Sequence, residues 1–315
     1  SYRARGVMPS AFGLQPDHLN RKKTPKHGLV SAMKIVLMSM PDVAAVIMHE
    51  SAFHMPNNGI ASIGANVDPG HEVFIIDLIR KRRRVRRYVT ETLLRIRPDV
   101  VGLSAMAWQY RTCTRLVRLI KRLLPNVKIV LGGYHATLMH EEIAVSEEAP
   151  LIDFIVRGEG EEVFRRLINA LNGHDRFEEI PSLSYHRGNG FVHNPRGALL
   201  DLSQLKLPIR DRRRLTWGYH IMNDKVEVIE TSRGCTRTCN FCSMNHMYGR
   251  TFRSFPMERI LADIDDIYIN RRTRWIFVAD DNLVLEPDRV LALCDAIIAR
   301  RYRGLNFVVQ ADCIT

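Results

Sequence analysis

The chain has 315 residues, 46 % apolar and 25 % charged, with a formal net charge of +12. That length predicts roughly two domains, each able to bury its own core, and no apolar run reaches the ~18 residues a membrane-spanning helix needs. Six cysteines, three of them within residues 235–242, are too sparse for a disulfide scaffold and fit a reducing, cytoplasmic setting.

Residues 1–33 are polar and basic, and Pro9, Pro16 and Pro25 interrupt them. They read as a flexible tail with no secretory signal. From Lys34 a regular alternation begins. KIVLMSM (34–40), EVFIIDL (72–78), DVVGLSA (99–105), VKIVLGG (127–133) and DFIVRGEG (153–160) are expected strands. Strands so uniformly apolar are buried on both faces, as in a parallel sheet. The stretches between them read as helices. In TCTRLVRLIKRLLP, Leu116, Leu119, Ile120 and Leu123 recur at helical spacing and Pro125 stops the helix. Residues 34–172 are therefore expected to form an α/β, doubly wound, Rossmann-like domain. Ligands of such sheets sit beyond the C-terminal strand ends. Those ends carry Ser104-Ala105, Gly132-Gly133-Tyr134-His135 and Arg157-Gly158-Glu159-Gly160.

Two basic runs stand out, Arg80 to Arg87 and Arg210 to Arg214. No aromatic residue interleaves with the first, so both are read as solvated faces and nucleic acid is not expected. Residues 173–224 read as a connector with a β-hairpin turning at Gly188-Asn189-Gly190. A second α/β series follows: strands KVEVIETS (225–232), WIFVADD (275–281) and LNFVVQAD (305–312), with helices between, one carrying Ile260, Ile264 and Ile267 on one stripe. Three strands do not close a barrel. Residues 225–315 are expected to be the first part of a barrel that is truncated at its C-terminal side.

The chemistry concentrates in TSRGCTRTCNFCSMNH, where the spacing is Cys235-x3-Cys239-x2-Cys242 directly after a strand. Three thiolates on one tight loop can converge on one metal centre and leave one position open. His246 also permits a Cys₃His zinc site, and with the basic runs that defines the alternative of another class, a zinc-stabilised nucleic-acid-binding module. The regular strand–helix context favours iron–sulfur. Cys113, Cys294 and Cys313 fall within helix or strand patterns and read as buried packing. Met244 and Met247 also read as packing.

The cysteine spacing, with Phe241 just before the last cysteine, resembles the radical SAM superfamily. The resemblance implies a 4Fe–4S cluster on Cys235, Cys239 and Cys242, whose open iron takes S-adenosylmethionine (SAM). Reductive cleavage of SAM then gives a 5′-deoxyadenosyl radical. Phe241 would pack near the adenine. The run Ala279-Asp280-Asp281-Asn282 is similar to an F-x-D-D element of cobalamin-dependent radical SAM families, where that edge meets the ammonium of SAM. A helix N-cap is the bland reading of the same residues.

VVGLS, the glycine stretch with His135 and Thr137, and RGEGE resemble the cobalamin-binding domain fused ahead of many radical SAM barrels. The resemblance, which spans about residues 34–315, implies cobalamin contacts at Ser104, Gly132, Gly133, His135, Thr137, Gly158, Glu159 and Gly160. Glycines let backbone approach a bulky ligand, and Ser104 would hydrogen-bond the nucleotide tail. Glu159, Glu161 and Glu162 also suit the start of a helix. The DxHxxG pattern of a histidine ligand to cobalt is absent, so His49, His54 and His135 are not expected to bind cobalt. The implied activity is methylation of an unactivated carbon of a small-molecule substrate. Cyclisation or oxidoreduction of a tetrapyrrole or lipid-like substrate is the runner-up. The implied partner is an electron donor such as flavodoxin or ferredoxin.

Overall fold

The computed structural model describes residues 32–42 and 53–313. Strand β1 (Lys34–Ser39) opens the first sheet, and β2 (Phe53–His54) and helix α1 (Asn58–Asn66) follow it. Next come β3 (Glu72–Asp77), α2 (Val85–Ile96), β4 (Val100–Ser104), α3 (Tyr110–Leu123), β5 (Lys128–Gly132), α4 (Gly133–Leu138), α5 (His140–Ala144), β6 (Phe154–Val156) and α6 (Gly160–Leu171). The hairpin β7 (Leu183–Arg187) and β8 (Gly190–His193) completes this part.

The sheet order is β3-β1-β4-β5-β6-β7-β8, parallel as far as β6. Alternate residues feed two cores. Val36, Met38, Val101 and Leu103 pack under α2 and α3, while Ile35, Leu37, Val100 and Val130 pack under α1 and α6. A period of two in a strand sends neighbours to opposite faces, so an unbroken apolar run is what a doubly wound sheet requires. The chain order reverses between β1 and β4, which places the ligand-binding crevice beyond their ends. Asp77 braces that crevice: it accepts from Ser39 Oγ at 2.6 Å and from the Asn57 amide at 2.7 Å. Asn57 in turn caps α1 through a bond from the Ile60 amide at 3.1 Å.

The hairpin expected in the connector is present, but β7 pairs antiparallel with β6 and extends the first sheet. Turn residues announce a hairpin without saying which sheet it joins.

The second series holds β9 (His220–Ile221), β10 (Asp224–Ile229), β11 (Ser232–Arg233), α7 (Met244–Tyr248), β12 (Arg253–Ser254), α8 (Met257–Asp265), β13 (Trp275–Val278), α9 (Pro287–Ala299) and β14 (Asn306–Val308). β10, β13 and β14 are parallel neighbours, and β9 and β2 extend their sheet on the other side. The two series pack as one unit.

One expectation is corrected here. The run from Arg210 to Arg214 is not a solvated face, because Arg210 and Arg213 are buried. Arg210 pairs with Asp263 and donates to the Val228 carbonyl at 2.8 Å, and Arg213 meets Glu227 at 2.7 Å. Arg212 and Arg214 are exposed, so the run alternates inward and outward. The buried pair bolts the connector to β10 and α8. Among the other cysteines Cys113 is buried as expected, whereas Cys294 and Cys313 are exposed. Among the described residues no helix is long and apolar enough to cross a membrane.

Candidate functional site

A cavity of about 260 Å³ opens at the crevice predicted by the strand order. Its floor is apolar, with Leu37, Ile60, Val130, Val156 and Phe164 among the lining residues. Ser104, Gly132, Gly133, Gly158 and Gly160 also line it, and these five were singled out by sequence. The glycines are needed for different reasons. Gly133 has φ +89°, and a Cβ there would stand 2.9 Å from the Ala105 carbonyl oxygen. A Cβ on Gly160 would stand 3.0 Å from Ile63. Gly132 has open space beside it, its nearest neighbour being the Val156 carbonyl at 3.9 Å.

Thr137 and His135 stand behind this wall. Thr137 donates to the Gly133 carbonyl and accepts from the Gly158 amide, both at 2.9 Å, so it staples two glycine turns together. The His135 ring lies 4.0 Å from that of Tyr110, and burial holds its pKa below the usual value. Neither is among the described lining residues of the cavity. His54 pairs into the second sheet, and its ring lies 4.7 Å from that of His220. His49 lies outside the described residues.

The second series roofs the cavity with Glu230, Arg233, Met247 and Tyr248. β11 and β12 pair antiparallel at the neck of the loop that carries Cys235, Cys239 and Cys242. Gly234 has φ +87°, and a side chain there would run into the Thr251 carbonyl. All three cysteines are free thiols, Cys239 exposed and the other two half-buried. The Cys242 amide donates to the Cys239 carbonyl at 3.1 Å, which folds the loop back on itself. Among the described residues no three His, Cys, Asp or Glu side chains gather closely enough to hold a metal ion. The loop therefore supplies a donor set of the right chemistry without the sulfurs meeting at one point. Phe241 is 91 % exposed beside these thiols.

The Ala279–Asn282 run divides its labour. The Ala279 amide continues the sheet by donating to the Ile229 carbonyl at 2.9 Å. Asp280 is buried and accepts from the Thr231 amide at 2.6 Å, from Ser232 Oγ at 2.5 Å and from the Thr231 hydroxyl. Its carboxylate is engaged by these three groups. Asp281 accepts from the Gly234 amide at 2.9 Å. Burial pushes its carboxyl up to about 6, against the pull of that hydrogen bond. Asn282 exchanges bonds with Asp312 at 2.9 and 3.2 Å. Asn282 stands at the N-terminus of a single 3-10 turn, Leu283–Leu285, but makes no side-chain capping bond there, and α9 begins only at Pro287.

Sequence reasoning missed the residues that join the two series. Tyr134 donates to Met244 Sδ at 3.0 Å, and burial raises its hydroxyl pKa well above the usual value. Arg196 donates to the carbonyls of His246 and Met247. Arg233, 6 % exposed, reaches Glu159, Glu161 and Glu230 at 3.1, 2.7 and 3.0 Å. Burial alone would raise Glu161, but the Arg233 guanidinium outweighs it and holds that carboxyl low. Glu159 lines the cavity, yet its carboxylate is bound by Arg233 and Arg253. The signal for the arginine contacts of Glu159 and Glu161 was faint: charged residues flanking glycines, whose partners Arg233 and Arg253 lie 72 to 94 positions away.

With this geometry in view, comparison with known proteins is informative. The B12 binding domain model matches residues 44–168. The chain is 28 % identical over 279 residues to the uncharacterized methyltransferase PH0819 of Pyrococcus horikoshii, covering 88 % of this chain and 59 % of that protein. It is 28 % identical over 222 residues to the anaerobic magnesium-protoporphyrin IX monomethyl ester cyclase of Rubrivivax gelatinosus, covering 67 % of this chain and 39 % of the cyclase. The chain thus spans roughly 40 to 60 % of the length of these relatives. The fold matches that of the cobalamin-dependent SAM radical enzyme OxsB, solved with aqua-cobalamin and SAM bound, with a TM-score of 0.70. That match has 20 % identity and covers 88 % of this chain and 38 % of OxsB. By its B12 binding domain and its relatives the chain is similar to cobalamin-binding-domain radical SAM proteins, among them named methyltransferases and anaerobic cyclases, and it shares their fold.

Proposed function

We propose that this chain holds cobalamin in the glycine-walled cavity and a 4Fe–4S cluster on Cys235, Cys239 and Cys242, and that the whole protein uses SAM to methylate an unactivated carbon of a small-molecule substrate. The observation that carries this reading is the shared roof. The ribbon at the neck of the cysteine loop closes the cavity of the B12 binding domain, so whatever the two hold is held side by side. The residues fit the groups. An apolar floor with glycine walls accepts a flat heterocycle edge-on, and Ser104 offers it a hydrogen bond. Three free thiols after a strand suit iron–sulfur ligation.

When bound, the cluster would supply the electron that splits SAM into methionine and a 5′-deoxyadenosyl radical, and cobalamin would supply a transferable methyl group. The chain's own residues orient and shield. The Asp280 clamp on Thr231 and Ser232 and the Asp281 bond to Gly234 fix where the cysteine loop starts. Phe241 would cover the adenine, and Asp281 would meet the SAM ammonium at the strand end. An acidic low-potential donor such as flavodoxin or ferredoxin would deliver the electron. The cyclase relative supports a second outcome, ring formation on a tetrapyrrole-like substrate.

The test needs no substrate. Anaerobically reconstituted protein is mixed with SAM and dithionite, and 5′-deoxyadenosine is measured by mass spectrometry. Formation that disappears in Cys235→Ala is the expected result. A reconstituted cluster that never yields 5′-deoxyadenosine contradicts the reading.

A further inference from the structure

The cysteine loop leaves and re-enters the protein through β11 and β12, whose cross-strand partners include Arg233 and Arg253. Two guanidiniums facing each other on a ribbon repel. One carboxylate answers both. Glu159 accepts from Arg233 at 3.1 Å and from Arg253 at 2.9 and 3.1 Å, and its side chain is 4 % exposed. Glu159 sits between Gly158 and Gly160, which wall the cavity. Arg233 is held again by Glu161 at 2.7 Å, and Glu161 accepts at 2.8 Å from Ser62 Oγ on α1, whose Ile60 and Ile63 also line the cavity. The neck of the loop is thus tied to two walls of the cavity by buried charges. In such surroundings each bond is strong and its loss costly.

We propose that Glu159 is a positioning residue: by clasping Arg233 and Arg253 it fixes where the cysteine loop stands over the cavity and makes the order of that loop respond to what fills the cavity. The inference rests on the reading that the cavity takes cobalamin. The planar forks of two arginines suit a shared carboxylate. The Leu200 amide also donates to Glu159 at 2.8 Å, so with the three arginine bonds the carboxylate's acceptor sites are filled and its action passes through the loop. A purely structural ion pair would change stability when removed. It would leave the loop's response to cobalamin unaltered.

The test is hydrogen exchange across residues 232–254 in anaerobically reconstituted protein, with and without hydroxocobalamin, for wild type, Glu159→Gln and Arg253→Lys. Corrinoid absorbance after gel filtration reports binding independently. Hydroxocobalamin is expected to slow exchange of this segment by roughly fivefold or more in wild type, the low end of site-to-site coupling. In Glu159→Gln, measured at hydroxocobalamin concentrations that saturate the variant, that slowing should be lost, and Arg253→Lys, which keeps the charge, should retain part of it. Bound corrinoid with no slowing in wild type, or with equal slowing in Glu159→Gln, overturns the inference alone. No corrinoid binding by wild type overturns the reading of the cavity and this inference with it. If Glu159→Gln does not fold, Arg253→Lys decides: a reduced response supports the inference and an unchanged one overturns it.

Discussion

The Asp281 carboxylate accepts a hydrogen bond from the Gly234 amide at 2.9 Å, so the end of β13 grips the residue just before Cys235. Asp281→Ala leaves that amide without its partner, at a cost of about 1–3 kcal/mol. The variant is expected to keep its far-ultraviolet circular dichroism and to take up less iron on reconstitution than wild type, although every thiol is intact. Iron per chain in the two proteins, measured side by side, checks this.

Gly132 marks the open side of the cavity. Because a Cβ there meets nothing nearer than 3.9 Å, a side chain can start from Gly132 without a clash, and the ring of Gly132→Phe should occupy the cavity. Hydroxocobalamin binding is expected to weaken by at least about tenfold, equal to about 1.4 kcal/mol. Gly132→Ala should bind nearly as well as wild type. Equilibrium dialysis of the three proteins separates these outcomes.

Arg210 and Asp263 form an ion pair with side chains 0 % and 2 % exposed. Removing Asp263 leaves the buried Arg210 only the longer carboxylate contacts, to Glu227 at 3.5 Å and Asp266 at 3.6 Å, at a cost of up to about 3–5 kcal/mol. Asp263→Ala is therefore expected to lower the urea midpoint strongly. A double variant with Arg210→Met and Asp263→Leu should recover much of the loss, since no charge is then left unpaired. Urea unfolding followed by circular dichroism gives both values.

Asp153 provides a pH dependence away from the cysteines. Burial works to raise its carboxyl, but the Ile129 amide and the Lys121 ammonium outweigh burial and hold it below the usual range. A carboxyl with a lowered folded-state pKa stabilises the fold above its unfolded value of about 3.9. That contribution is lost as pH falls through the folded-state value. Wild type should therefore lose stability below about pH 4, and Asp153→Asn should be less stable at neutral pH with a shallower acid slope. Thermal melts from pH 3 to 7 test the sign.

Much of this was legible in the sequence because it is written in local patterns. Unbroken apolar runs such as KIVLMS gave the parallel strands, and glycines at their ends marked the cavity. The cysteine spacing marked its loop. What escaped was pairing over distance. Asp280 and Asp281 are adjacent and chemically alike, yet one is buried under Thr231 and Ser232 while the other faces the loop. Nothing local distinguishes them. Arg210 hid in a basic run, although Glu227 inside an apolar strand and Asp263 inside an apolar helix were carboxylates in want of a cation. Glu159 was read toward the ligand from its flanking glycines and the RGEGE resemblance; that its carboxylate also holds the ribbon at residues 233 and 253 had no local signal.

The central claim is that the cavity's roof carries an iron–sulfur cluster, and anaerobic iron and sulfide analysis of reconstituted wild type and Cys239→Ala tests it most directly. The account predicts about four irons and matching sulfide per chain in wild type, with a broad absorbance near ~400 nm, and loss of both in the variant. Stoichiometric zinc with no sulfide would contradict it and favour the zinc-stabilised alternative.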